Sequence, residues 1–176
     1  MAERERERIR EREAPALSSY ELAIRQDREF AERQMVGRIV CRFEDCPQTL
    51  TRQGRLRNYL GQTIPDTPLQ DWIVFTHEIR TASGKHRHQG GLIIYVISGR
   101  GYSVVDGERV DWEKGDLVLL PLREDGVEHQ HFNADGPENP ALWMAFIHGP
   151  TRHYLASEMT QSEVSPEYKK MQEGGG

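Results

Sequence analysis

From Asp71 onward the apolar residues fall in short runs broken by glycine and other turn residues. Trp72-Ile73-Val74-Phe75, Leu92 to Ile97, Tyr102 to Val105, Leu117 to Leu120 and Ala141 to Ile147 are rich in β-branched and aromatic side chains, which suit a pleated surface, and are predicted strands. Ser98-Gly99-Arg100-Gly101, Val105-Asp106-Gly107-Glu108 and Glu113-Lys114-Gly115-Asp116 separate them, and Asp106-Gly107 is a hairpin signal. Many short strands at close spacing predict an all-β antiparallel sandwich or barrel.

The pattern upstream is different. Residues 1–13, MAERERERIRERE, alternate acid and base and hold too little apolar surface to order themselves alone. A serine cap at Ser18-Ser19-Tyr20-Glu21, followed by Leu22, Ile24, Phe30 and Met35 in a charged background, predicts a helix from about Tyr20 to about Gln34. The run VGRIVCRF over 36–43 is β-like, whereas Arg52, Arg55 and Arg57 read as a solvated face. After Pro150 the chain turns polar again and ends in three glycines, predicting a mobile tail. The expected organisation is a charged, partly helical arm (1–35), a β-barrel (36–150) and a polar C-terminal tail (151–176).

Composition narrows the class. With 176 residues the chain is long enough for one domain with a real core, and 36% apolar against 29% charged residues fits such a domain carrying solvated extensions. The net charge of −5, without a basic face, argues against nucleic acid as partner. No apolar stretch approaches the roughly 20 residues of a membrane span, and residues 1–13 carry no signal-peptide core, so a cytoplasmic protein is expected. Cys41 and Cys46 lack the second pair that a structural zinc site needs, and are read as two reduced thiols.

The candidate chemistry lies in the histidines. Of seven, four form two pairs, His86/His88 and His129/His131. Side chains alternate along a strand, so H-x-H turns both imidazoles to one face, where they can share an ion; a second such strand alongside adds a further ligand. His77, His148 and His153 have no such pairing and are read as surface or hydrogen-bonded core residues.

These motifs resemble those of the cupin superfamily. Gly84 to Gly99, GKHRHQGGLIIYVISG, is similar to the family's first motif, and Gly115 to Asn133, GDLVLLPLREDGVEHQHFN, to its second. The resemblance implies a double-stranded β-helix (jelly-roll) barrel, here with a helical N-terminal extension. By position it makes His86, His88 and His129 the metal ligands, His129 being the one with the four-residue step to Asn133. Leu92 stands where the family's usual glutamate ligand lies. Three neutral imidazoles leave a divalent ion its full charge and open positions for a substrate chelating through two oxygens and for dioxygen. On the same strand Leu92, Ile94 and Val96 should face inward with the ligands, and Ile93, Tyr95 and Ile97 outward.

Among cupins, three-His sites of this kind resemble those of iron(II) dioxygenases such as the gentisate and salicylate dioxygenases, cysteine dioxygenase and diketone-cleaving dioxygenase, and the local likeness is to the gentisate group, whose first motif reads HRH. By that likeness His131 is the catalytic and substrate-contacting candidate beside the ligands, with a pKa suited to proton transfer near neutrality; Gln89, next to the motif, is read either as contacting a ligand or substrate or as capping the turn before Gly90-Gly91. The implied function is an Fe(II) dioxygenase that cleaves a small hydroxylated aromatic or enolic carboxylate with O2; a three-His cage also accepts Zn, Mn, Ni or Cu. An oxygen-independent lyase or isomerase and a noncatalytic small-molecule-binding barrel are the alternatives. A homodimer is expected from the same resemblance. This sequence departs from the motif in its loop, where Leu122-Arg123-Glu124-Asp125 separate Pro121 from Gly126.

Overall fold

In the computed structural model, residues 17–61 and 63–174 are described. The chain divides into two units, residues 1–37 and residues 38–176. Within the first, helix α1 spans Ser19–Val36, close to the expected bounds. It starts where it does because Ser18 and Glu21 form a capping box: the Glu21 amide donates to Ser18 Oγ at 3.3 Å, and the Glu21 carboxylate accepts from the Ser18 amide at 2.8 Å. Residues 1–16, including most of the charged arm, lie outside the described residues.

The second unit is an antiparallel two-sheet barrel. Its strands are β1 (Gln48–Thr51), β2 (Gly54–Leu60), β3 (Trp72–Ile79), β4 (Lys85–His88), β5 (Leu92–Ser98), β6 (Arg100–Val105), β7 (Glu108–Glu113), β8 (Leu117–Leu120), β9 (Val127–Asn133), β10 (Ala141–His148) and β11 (Thr160–Glu163). Two short helices, α2 (Gly149–Tyr154) and α3 (Pro166–Glu173), follow β10 and β11. One sheet has the order β1-β2-β3-β10-β5-β8, the other β11-β4-β9-β6-β7. The core lies between them: Ile79, Leu92, Ile94, Val96, Trp112, Val118, Leu120, Val127, Ala141, Trp143 and Ala145 form one buried cluster. Each large apolar side chain in it contributes about 1.5–3 kcal/mol by leaving water.

The alternation expected along β5 is present. Leu92, Ile94 and Val96 are buried, while Ile93 and Tyr95 are 43% and 44% exposed on the outer face. Two expectations need correction. VGRIVCRF is not a strand: α1 runs through Val36, and a single 3-10 turn spans Phe43–Asp45. No neighbouring strand takes up the ladder of 37–42; Arg38 instead donates its backbone N–H to the Asp66 carbonyl and its guanidinium to the Asp66 carboxylate. The stretch after Pro150 is not a tail as far as Gly174: it folds back, and β11 pairs with β4, Gln161 opposite His86.

Candidate metal centre

β4 and β9 are antiparallel neighbours, with His86 directly opposite His129, so three imidazoles from two strands meet on one inner wall. His86, His88 and His129 have ring centroids 4.2 to 5.4 Å apart, and one ligand-capable nitrogen from each lies within 4.8 Å of the others. Arg87 and Glu128, also opposite one another, alternate with them; Arg87 is exposed, and Glu128 takes an ion pair from Lys85 at 3.0 Å.

The hydrogen bonds of two of these rings are suited to an ion. His86 Nδ1 lies 3.3 Å from the Gly84 carbonyl and His129 Nδ1 lies 3.0 Å from the Val127 carbonyl, so each ring donates through Nδ1 and keeps Nε2 as a lone-pair donor. His129 Nε2 is buried with no protein partner. His88 differs: its Nδ1 accepts the Gly90 N–H at 3.0 Å, which places its proton on Nε2. Coordination through that atom requires the proton to move and the Gly90 contact to be given up. Burial is the main reason that all three rings stay neutral: it lowers His86, and together with neighbouring charge it lowers His129 further and brings His88 to about 4.

The wall opposite belongs to the other sheet, and the two enclose a cavity of about 210 Å³. Leu56, Ile73, Phe75, Leu92 and Ile147 make its apolar sides, and no carboxylate among the described residues lines it. Leu92 is 4% exposed, packed between its strand partners Leu120 and Ile147. The donor set present, three neutral imidazoles with one unsatisfied Nε2, fits a divalent transition metal.

His131 lines the same cavity, 2% exposed, and its tautomer follows from a hydrogen-bond chain. Trp112 Nε1 donates to Ser103 Oγ at 2.9 Å, and Ser103 Oγ is 2.7 Å from His131 Nδ1. With the hydroxyl accepting from tryptophan, its own proton goes to Nδ1, leaving His131 Nε2–H as a donor. Burial and the neighbouring histidines push its pKa well down, so His131 is a neutral donor rather than the group titrating near neutrality that the sequence implied.

The remaining sequence candidates are placed as follows. Gln89 is not among the lining residues; its backbone N–H donates to Ser157 Oγ at 3.3 Å, and its Oε1 is buried without a partner. The 122–125 loop does not line the cavity either: Arg123 bonds the Gln89 carbonyl and the Asp106 carboxylate. His148 and His153 are outside the cavity, whereas His77 is in it, 3% exposed and edge-on to Trp143 at 4.8 Å. Its alternation with Phe75 and Ile73 on β3 was the available signal. Sequence reasoning also missed Arg152, Ser157 and Met159, which reach the cavity from the folded-back C-terminal segment. No helix among the described residues is long and apolar enough to cross a membrane.

Comparison with known proteins places this geometry. Residues 74–147 match the family model described as "Cupin domain". A 71-residue stretch is 35% identical to gentisate 1,2-dioxygenase from Ralstonia sp, covering 40% of this chain and 19% of that protein. Over 106 residues the chain is 26% identical to 5-aminosalicylate 1,2-dioxygenase from Comamonas sp, covering 60% of this chain and 26% of that one. The chain thus spans only a minor part of each relative. Among solved structures, salicylate 1,2-dioxygenase from Pseudoaminobacter salicylatoxidans, in its gentisate adduct, superposes with a TM-score of 0.52 at 18% identity, over 78% of this chain and 35% of that chain. PAC13 from Streptomyces, solved with uridine, gives 0.52 at 12% identity over 75% of this chain and 97% of that chain. Residues 74–147 thus match a cupin domain and, over stretches of 71 and 106 residues, the chain is similar to parts of gentisate 1,2-dioxygenase and 5-aminosalicylate 1,2-dioxygenase; the inner wall of this barrel gathers His86, His88 and His129.

Proposed function

We propose that the protein is an Fe(II) dioxygenase acting on a small hydroxylated aromatic or enolic carboxylate. The observation that carries this reading is a small cavity in which three neutral imidazoles, and no carboxylate among the described residues, converge on one point. When bound, the ion supplies Lewis-acid and electron-transfer chemistry at a centre shared by substrate and dioxygen. His86, His88 and His129 hold it. Leu92, in place of an acid, keeps that wall dry and adds no negative charge.

The chain's other residues bind and orient. Leu56, Phe75, Leu92 and Ile147 exclude water from the faces of a planar substrate. His131, its Nδ1 held by Ser103, directs an Nε2–H at an oxygen of the substrate that gains negative charge during reaction. The relatives named for gentisate and 5-aminosalicylate support a hydroxylated aromatic acid as substrate class. Free Cys41 and Cys46 agree with a reducing cytoplasm. The outward apolar row Ile93, Tyr95, Leu117 and Leu119 supports a homodimer.

The test is anaerobic reconstitution with Fe(II), followed by oxygen-electrode assays against a panel of hydroxybenzoates and enolic acids. Substrate-dependent oxygen uptake is expected, and His129→Ala should abolish it while losing bound iron. Turnover without oxygen consumption would instead identify a Lewis-acid lyase or isomerase, and normal uptake by His129→Ala would overturn the ligand set.

A further inference from the structure

Among the described residues lining the cavity, Arg152 alone carries a permanent charge, and no acid lines the wall to balance it. Its guanidinium forms no ion pair with a described carboxylate. An exposed arginine on the rim of a cavity without a described acid has the chemistry to receive a planar anion, because its fork matches both oxygens of a carboxylate.

Arg152 is also held in place. Helix α2 starts directly from β10, with the Gly149 N–H donating to the Asp71 carbonyl at 2.7 Å and His148 Nδ1 lying 2.9 Å from Thr151 Oγ1. On the other side the chain turns over the helix end, and the Ser157 N–H donates to the Arg152 carbonyl at 3.0 Å. Ser157 Oγ then accepts the Gln89 N–H at 3.3 Å, and the Gln53 side-chain amide meets Met159 Sδ at 3.4 Å, so the segment after α2 is fastened to β4 and to the β1–β2 turn. β11 continues from there along β4. The folded-back C-terminal segment therefore does two things: it completes the cavity rim and presents one cation to it.

We infer that Arg152 is the anion-recognising residue of the cavity, binding the carboxylate of the substrate and selecting acids over neutral phenols of the same shape. The inference rests on the acidic-substrate reading above and refines it. In it Arg152 is a binding residue rather than a catalytic one. The acid's ring lies among Leu56, Phe75, Leu92 and Ile147, with the carboxylate turned towards α2. A neutral ligand leaves the guanidinium without a partner.

The experiment uses the full chain, metal-loaded and anaerobic, and two isosteric probes, salicylate and salicylamide, titrated calorimetrically. The wild type should favour salicylate at least tenfold. Arg152→Gln should lose that preference while binding salicylamide as the wild type does, and Arg152→Lys should keep part of it. The site is on an exposed helix, and circular dichroism of both variants checks that they fold. If Arg152→Gln keeps the full preference for salicylate, the assignment of Arg152 is overturned while the acidic-substrate reading stands. A wild type that does not favour salicylate, whether it binds both probes or neither, overturns that reading and this assignment with it.

Discussion

At Leu92 a buried side chain packs between Leu120 and Ile147 on β5, in the sheet that faces the three-histidine wall, at the position where the motif that this stretch resembles has a carboxylate. Its chemistry is testable by restoring the acid. Leu92→Glu places an ionisable group in an apolar wall with no cation within its own strand to pair it, and in metal-free protein this should cost on the order of 3 kcal/mol of unfolding free energy. With a divalent metal added the sign reverses: the carboxylate becomes a fourth ligand, so the thermal midpoint should rise more on metal addition than it does in the wild type. Oxygen uptake should fall, because the added ligand takes a coordination position and cancels part of the ion's charge. Differential scanning fluorimetry with and without metal, alongside the oxygen assay, reads both effects. A variant whose metal-induced shift equals that of the wild type would show that the position does not face the ion. Ser103 acts at the same scale without touching the ion. By occupying His131 Nδ1 it decides which nitrogen of that ring faces the cavity as a donor.

At the scale of elements, strand β4, which carries His86 and His88, is short and depends on both its neighbours. β9 supplies His129, and β11 covers the other edge, with Gln161 opposite His86 and its side-chain amide bonded to the Arg52 and Glu163 carbonyls. Gln161→Pro removes a ladder donor and the side-chain bonds together, so β4 becomes a loosely held edge. The expected result is a folded barrel that binds metal at least about tenfold more weakly, as loss of the support behind ligating residues does; chelator competition measures it, and unchanged affinity would show that β9 alone sets the ligand geometry. The same element marks the limit of what the sequence displayed. β5 was legible because Leu92, Ile94 and Val96 alternate with outward residues, and the H-x-H pairs were legible because a period of two puts both rings on one face. β11, TQSE, contains no apolar residue; it is a strand because β4 offers it an open edge, a tertiary cause that leaves no local pattern. β2 was hidden in a similar way. Its Arg55 and Arg57 suggested a solvated face, but Arg55 meets Glu167 at 3.0 Å on α3, and Arg57 lies 3.8 Å over the Phe43 ring, while Leu56 and Asn58 between and beyond them line the cavity.

Across the whole molecule, the cavity gathers five histidines, His77, His86, His88, His129 and His131, inside one barrel, and burial disfavours the charged form of every one. The ordinary value of 6.5 falls to about 3 at His77 and about 4 at His88. In the unfolded chain these rings regain the ordinary value. Below it the unfolded state takes up protons that the folded state refuses, so unfolding gains free energy as the pH drops. The stabilising contribution is therefore complete above 6.5 and is lost progressively as the pH falls towards the folded values. Metal-free protein in chelator should show a urea midpoint that falls steadily from about pH 7.5 to about pH 5. Carboxylates contribute little over the upper half of that window, because their own ordinary values lie near about 4. His77→Phe provides the internal control: the ring still packs on Trp143, but one titrating group leaves the cavity, so the slope of midpoint against pH should be shallower than in the wild type. A wild-type midpoint that is flat across the window would mean that the rings are not protected from protonation in solution. It would also count against a dry cavity, since the exclusion of water is what lowers these rings.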